Sequence, residues 1–231
     1  MASCQTGKCE INKAQEGKGK LRWVMGVFLI VLIAAGWMIP WVGYFVPVCM
    51  IGGLVPAFFL GRKWCDWTCW RGSFLEKIVG SLSGDRPVPP LLRSTGFRVA
   101  AMAFLFAMFG YRISQLWGDW VALGGFFVIF LTATTVVAIV LGIIFQPRGW
   151  CAFCPLGTLG SWAGAGKKPL YISDACVGCG VCTKACPMDI DIPSYVEEGA
   201  ITHGDCIKCG ACIAKCPIGA LSFDAPEERV A

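Results

Sequence analysis

Four apolar stretches, at residues 23–39, 41–60, 97–116 and 120–145, alternate with segments rich in charge, glycine, proline and cysteine. Each is close to the roughly 20 residues that a helix needs to cross a bilayer, so the pattern predicts four transmembrane helices. Residues 1–22 are polar and basic and read as a tail before the first helix. A secretory signal is the competing reading, disfavoured because a long tail precedes the apolar run and no small-residue cleavage site follows it. The second run is broken by Pro47, Gly52, Gly53 and Pro56, and Arg98 and Arg112 bracket the short apolar centre of the third. These two are the weaker spans, since prolines also mark re-entrant elements.

Composition agrees. The 231 residues are 56% hydrophobic and 15% charged, with a mean hydropathy of +0.63, too apolar for a soluble domain of this size. Of the 20 Lys and Arg residues, 5 precede the first run, 7 lie from Arg62 to Arg98, 7 follow the fourth run and only Arg112 falls outside. The positive-inside rule then puts both termini, the central loop and everything after the fourth helix in the cytoplasm. Trp37, Trp41, Trp117 and Trp120 flank the short outer turns as an aromatic belt would. The net charge of +5 is explained by this orientation, and no nucleic-acid motif is present.

The cysteines carry the chemistry. The run C-x2-C-x2-C-x3-C-P occurs twice, at Cys176, Cys179, Cys182, Cys186 and Pro187, and at Cys206, Cys209, Cys212, Cys216 and Pro217. This is the bacterial two-cluster ferredoxin spacing, in which the fourth cysteine of each run ligates the other run's [4Fe-4S] cluster. Cys176, Cys179, Cys182 and Cys216 are therefore expected on one cluster, and Cys206, Cys209, Cys212 and Cys186 on the other. Zinc usually takes two C-x2-C pairs at longer separation. Gly178, Gly180, Gly210 and Ala211 leave room for backbone N–H groups to approach the cluster sulfurs. His203 is the only histidine, which excludes a haem held by a histidine pair within the chain, and it reads as a solvated loop residue.

A second repeat closes the membrane runs. Arg62, Trp64, Cys65, Cys69, Gly72 and Ser73 follow the second, and Arg148, Trp150, Cys151, Cys154, Gly157 and Thr158 follow the fourth. Two hairpins ending in the same motif imply parallel repeats about an axis along the membrane normal. Cys65, Cys69, Cys151 and Cys154 would then converge at the cytoplasmic surface as a Cys4 site for a third iron-sulfur cluster or, less fittingly, zinc. Plain packing of small residues and a redox dithiol at Cys151 and Cys154 are the alternatives. Arg62 and Arg148 would offset thiolate charge, and Trp64 and Trp150 would anchor the loops at the interface. Arg112 reads as a snorkelling residue or a partner of Asp119, with a quinone head or a partner protein as its alternative ligand, Cys49 as packing, and Cys4 with Cys9 as a loose pair in the tail.

The expected architecture is an all-α membrane bundle of four transmembrane helices in two parallel hairpin repeats, plus a small α+β two-cluster ferredoxin domain. Its parts are a tail (1–22), a transmembrane domain (23–147) with the first cysteine motif at 62–73, the second motif and a linker (148–169), the ferredoxin domain (170–223) and a polar tail (224–231).

With these motifs in place, residues 23–223 resemble the membrane polyferredoxins of the NapH, NosR and CcoG type. In that group the membrane motifs usually read C-x3-C-P, whereas here Trp70 follows Cys69, and Cys151 to Cys154 keeps Pro155 but is one residue shorter. The layout is closest to the NapH type, since it leaves no room for a flavin-bearing outer domain. The resemblance implies a bacterial inner-membrane protein passing electrons between the quinone pool or a cytoplasmic donor and a partner oxidoreductase, with membrane lipid, quinone and redox subunits as its partners. The sequence itself carries no catalytic acid, base or nucleophile constellation, so an electron-transfer subunit is the leading expectation. A metal-reducing maturation factor and a redox sensor are the rivals, and a sensor would need an output domain.

Overall fold

The computed structural model describes residues 6–84, 86–164 and 166–224. Cys4, the Cys9 side chain, Asp85 and the tail from residue 225 lie outside the described residues. The chain is mostly helical, with a small sheet. Helix α1 (Thr6–Met38) begins well before residue 23, so most of the expected tail is a continuation of the first helix. Lys, Glu, Gln and Ala favour helix there and no proline interrupts it. A 3-10 turn (Pro40–Tyr44) leads to α2 (Phe45–Leu60). Pro47 sits in the first turn of α2, where its missing N–H costs nothing, while Pro56 is carried inside the helix.

The stretch after α2, expected as a loop, is largely helical: α3 (Trp64–Trp67), α4 (Trp70–Phe74), a π turn (Leu75–Val79) and a 3-10 turn (Gly80–Leu82). After α5 (Pro90–Arg93) come α6 (Thr95–Gln115), capped by Ser94, and α7 (Trp120–Ile144), capped by Asp119. Asp119 accepts from the Ala122 N–H at 3.0 Å, and no ion pair joins it to the exposed Arg112 among the described residues. The pairing expected for Arg112 is therefore replaced by a helix cap. At the other end of α7 the orphan carbonyls are met by the segment that follows α4: Gly84 donates to the Ile143 carbonyl at 2.9 Å and Arg86 to that of Phe145 at 3.2 Å.

Among the described residues four helical stretches are long and apolar enough to span a membrane: Gly19–Met38, Pro40–Leu82, Thr95–Gln115 and Trp120–Ile144. Their outward faces expose Phe59, Phe104, Ile129 and similar residues, the solvation that lipid requires. Trp37, Trp41, Trp117 and Trp120 are all exposed around the turns at one end. At that end Gly43 and Gly124 let the 3-10 turn lie directly on α7. A Cβ on Gly43 would sit 2.1 Å from the Gly124 carbonyl oxygen, and one on Gly124 would sit 2.4 Å from that of Pro40. Backbone on both sides leaves nothing to yield, so Gly43→Ala is expected to cost about 1–3 kcal/mol, measured as a lowered thermal midpoint in detergent. A midpoint equal to that of the parent would show that the turn can lift from α7 at no cost.

Helix α8 (Pro155–Ala163) occupies most of the stretch expected as a linker and packs on α2 and α6. Its glycines, Gly157 and Gly160, hide the helical pattern in the sequence but suit close packing. The ferredoxin unit follows, with β1 (Leu170–Ile172), α9 (Val181–Lys184), β2 (Ala200–Ile201), α10 (Ala211–Lys215) and β3 (Leu221–Ser222). The sheet order is β2-β1-β3, both pairs antiparallel. Its core of Leu170, Ile172, Ile190, Ile201, Ile207 and Leu221 is continuous with Cys151 of the membrane motif. Helix α1 also touches α10.

Candidate iron-sulfur centre

In each ferredoxin run the first two cysteines lie on a loop and the third in the short helix that it enters, Cys182 in α9 and Cys212 in α10. Gly180 (φ 71°) and Gly210 (φ 76°) precede these helices in the left-handed region, which glycine enters without steric cost. Cys176, Cys179, Cys182 and Cys216 line one cavity. Cys186, Cys206, Cys209 and Cys212 line another. The fourth cysteine of each run thus faces the other run's cavity. No three His, Cys, Asp or Glu side chains among the described residues converge on a point that would hold a single ion. Each set lines its own cavity, and an all-thiol donor set suits iron-sulfur.

Burial pushes the Cys209 thiol up to about 11 and raises Cys212 further, with neighbouring thiols adding to the effect at Cys212. Unloaded, these two thiols are neutral, and binding metal must release their protons. The first set lies nearer the surface. Cys179 is exposed, as are Val177 and Ile218 beside it.

The membrane motifs come together. Cys65, Cys69, Cys151 and Cys154 line one cavity of about 150 Å³ beneath the ferredoxin unit, and Cys49 of α2 lines it too. Cys49, expected only to pack, is a fifth thiol there. Burial raises the Cys151 thiol to about 12, against the pull of Arg148.

Two arginines cross-brace the loops. Arg62 of the first motif donates to the Cys151 carbonyl of the second at 2.8 Å, and Arg148 of the second donates to the Cys65 carbonyl of the first at 2.6 Å. Gly157 makes room for Arg62, whose Nη2 a Cβ there would meet at 2.6 Å, whereas a Cβ on Gly72 would lie 3.4 Å from Arg148 Nη1, an ordinary contact. The tryptophans behave differently from expectation. Trp150 is buried among Leu75, Val79 and Phe153 instead of anchoring at an interface, and Trp64 packs against Gly53.

Each arginine also holds a carboxylate. Arg148 pairs with Glu76 at 2.7 Å, and Arg22 of α1 pairs with Glu76 and Asp66. Arg62 pairs with Asp205 at 2.6 Å, and Arg98 of α6 reaches the same carboxylate at 2.5 Å. Asp205 precedes Cys206, so one buried carboxylate ties the first motif, α6 and the second ferredoxin run. Burial alone would raise its pKa, but the Arg98 hydrogen bond and the Arg62 charge outweigh it and hold the carboxyl below the usual range. His203 is half-buried beside it, not freely solvated, and its Nδ1 accepts from the Asp205 N–H at 3.1 Å. Burial, with Arg98, Arg93 and Arg62 opposing Asp205, holds the imidazole below its ordinary pKa.

The partners Asp205, Arg98, Glu76 and Asp66 were not singled out from the sequence as site residues. The one local signal was charge in apolar surroundings at Arg98 and between the cysteines at Asp66.

Cysteine-lined cavities below a small sheet, joined to four helices long and apolar enough to span a membrane, fit an iron-sulfur membrane protein. Two family models match in agreement. The 4Fe-4S dicluster domain matches residues 175–221, and the 4Fe-4S binding domain matches twice, over residues 42–89 and 119–172. Each of the latter stretches contains one of the R-x-W-C motifs. The chain thus carries 4Fe-4S ferredoxin-type domains, which support an iron-sulfur electron-transfer role. Comparisons with curated proteins and with solved structures returned no match.

Proposed function

We propose that the chain is a membrane-anchored electron-transfer subunit of the NapH-like kind, relaying single electrons between quinone or a cytoplasmic donor and a partner oxidoreductase. The observation that carries this reading is the succession of three thiol-lined cavities from the bundle to the exposed Cys179. Three [4Fe-4S] clusters, when bound, supply the one-electron chemistry. Cys176, Cys179, Cys182 and Cys216 would hold the outermost, Cys186, Cys206, Cys209 and Cys212 the middle one, and Cys65, Cys69, Cys151 and Cys154 the one at the bundle. The protein's part is position and a dry setting. The buried arginines fix the loops, and the apolar ferredoxin core keeps water from the middle site.

The exchanged arginines and the doubled family match support two parallel hairpin repeats, related about the membrane normal. The division of basic residues supports a cytoplasmic ferredoxin unit at a bacterial inner membrane. In lipid, the dithionite-reduced protein should be reoxidised by a quinone analogue. Reoxidation by cupric ion alone, with none by quinone, would favour a metal-reducing maturation factor instead.

Crossed ligation has its own test. Cys186→Ser should chiefly damage the cluster anchored by Cys206, Cys209 and Cys212, because Cys186 lines that cavity and not its own run's. Paramagnetic resonance showing loss confined to the other cluster would refute the crossing.

A further inference from the structure

The bundle holds a second cavity beside the thiol-lined one. A groove of about 660 Å³ opens between α6 and α7 toward the lipid-facing side, walled by Phe104, Met108, Phe126 and Ile129. It shares Leu105, Phe130, Thr134 and Trp150 with the thiol cavity, so the two meet. At their meeting the polar groups are under-used. Arg71 donates through Nη2 to Thr134 Oγ1 at 2.8 Å, and its guanidinium lies 5.4 Å from the Trp150 ring centroid. Among the described residues Trp150 Nε1 is buried with no hydrogen-bond partner, at 5% exposure of the residue, and so is Arg71 Nε, as is the Nε of Arg22, Arg62 and Arg98. Arg22, Arg62, Arg93, Arg98 and Arg148 each have a carboxylate, whereas no ion pair holds Arg71 among the described residues.

A buried donor left unmet costs about 1–3 kcal/mol, so the Trp150 N–H beside a guanidinium that no carboxylate offsets calls for a ligand. The walls set its character: a flat apolar body, with oxygens that accept hydrogen bonds and a tail that stays in lipid. We infer that the junction at Arg71, Thr134 and Trp150 is the headgroup site of a lipid-soluble quinone, an inference that rests on the relay reading above. A bare acyl chain would fill the groove but leave the Trp150 N–H unmet. The donors ride on the cysteine loops themselves, Trp150 next to Cys151 and Arg71 two residues past Cys69. A ring carbonyl bound there lies against the walls of the thiol cavity.

The test is photolabelling of the full chain in lipid nanodiscs with an aryl-azido quinone bearing a decyl tail, followed by peptide mapping. Label is expected on peptides spanning Leu105, Phe130 and Trp150, competed by decylubiquinone. Trp150→Phe, which keeps the ring packing and removes the donor, should lower labelling at least tenfold with iron content unchanged, and Arg71→Gln should do the same. Label placed elsewhere, in protein that quinone still reoxidises, would overturn the site and leave the relay standing. No label anywhere and no reoxidation would remove both. Competition by oleate in place of decylubiquinone would make the occupant a carboxylate lipid and overturn the quinone. Iron loss in Arg71→Gln together with undiminished labelling in Trp150→Phe would overturn the site as well, leaving Arg71 as a countercharge to the thiolates.

Discussion

Replacing Cys65, Cys69, Cys151 and Cys154 together by serine is expected to lower the iron in anaerobically reconstituted protein from about 12 atoms to about 8, at four irons per cubane. The expectation comes from the single cavity that all four line, and from arginines that lock each loop onto the other's backbone. Serine preserves size, and the arginines hold cysteine carbonyls, not thiols, so the loops should keep their shape. What is lost should be metal and, with it, exchange between the lipid phase and the ferredoxin unit. A count near 8 in both proteins, with electron transfer intact, would sink the third site. Cys49 supplies a finer comparison. If it replaces one of the four as a ligand, the single variant Cys49→Ser should lose iron and one of the four single variants should not.

Asp205→Asn should destabilise the junction of the ferredoxin unit with the bundle by about 3–5 kcal/mol, the cost of leaving buried charge without its partner. Two guanidinium groups share that carboxylate, and Arg62, Asp205 and Arg98 are 2%, 4% and 8% exposed. Asparagine keeps the shape and removes the charge. The measurement is protease sensitivity of the segment around residues 164–169, with Asp189→Asn as control. The Arg93–Asp189 pair is longer, at 3.3 Å, and about a quarter exposed, so its loss should cost less than about 1 kcal/mol. Equal sensitivity of the two variants would mean that the ferredoxin unit is held by its apolar contacts alone.

What could be read from the chain and what could not divide along physical lines. The helices of the bundle were legible because lipid imposes length and apolarity on contiguous residues, and α6 and α7 lie within two residues of the expected runs. The sorting of the ferredoxin cysteines into two sets was legible from the doubled spacing, and each expected set lines one cavity. Helix α8 was hidden because its glycines serve packing against α2 and Arg62, a requirement set by residues far away in the chain. The start of α1 was hidden because a polar helix and a polar tail share a composition. Pairs such as Arg62–Asp205, 143 residues apart, leave no local trace. Gly157 likewise answers to Arg62, from the opposite motif, which would crowd any side chain there.

The exchange of arginines also sets an order of events while the chain is being made. When the first cysteine loop leaves the ribosome, the carbonyl of Cys65 has no Arg148 to close on it, and Arg62 has neither the Cys151 carbonyl nor the Asp205 carboxylate. Neither half can finish its loop alone. Asp205 immediately precedes the second ferredoxin run, so Arg62 is neutralised only after nearly the whole chain has been synthesised. Iron delivered before that moment would find the first pair of thiols on an unbraced loop, so a cluster at the membrane motifs, as proposed above, would be filled late.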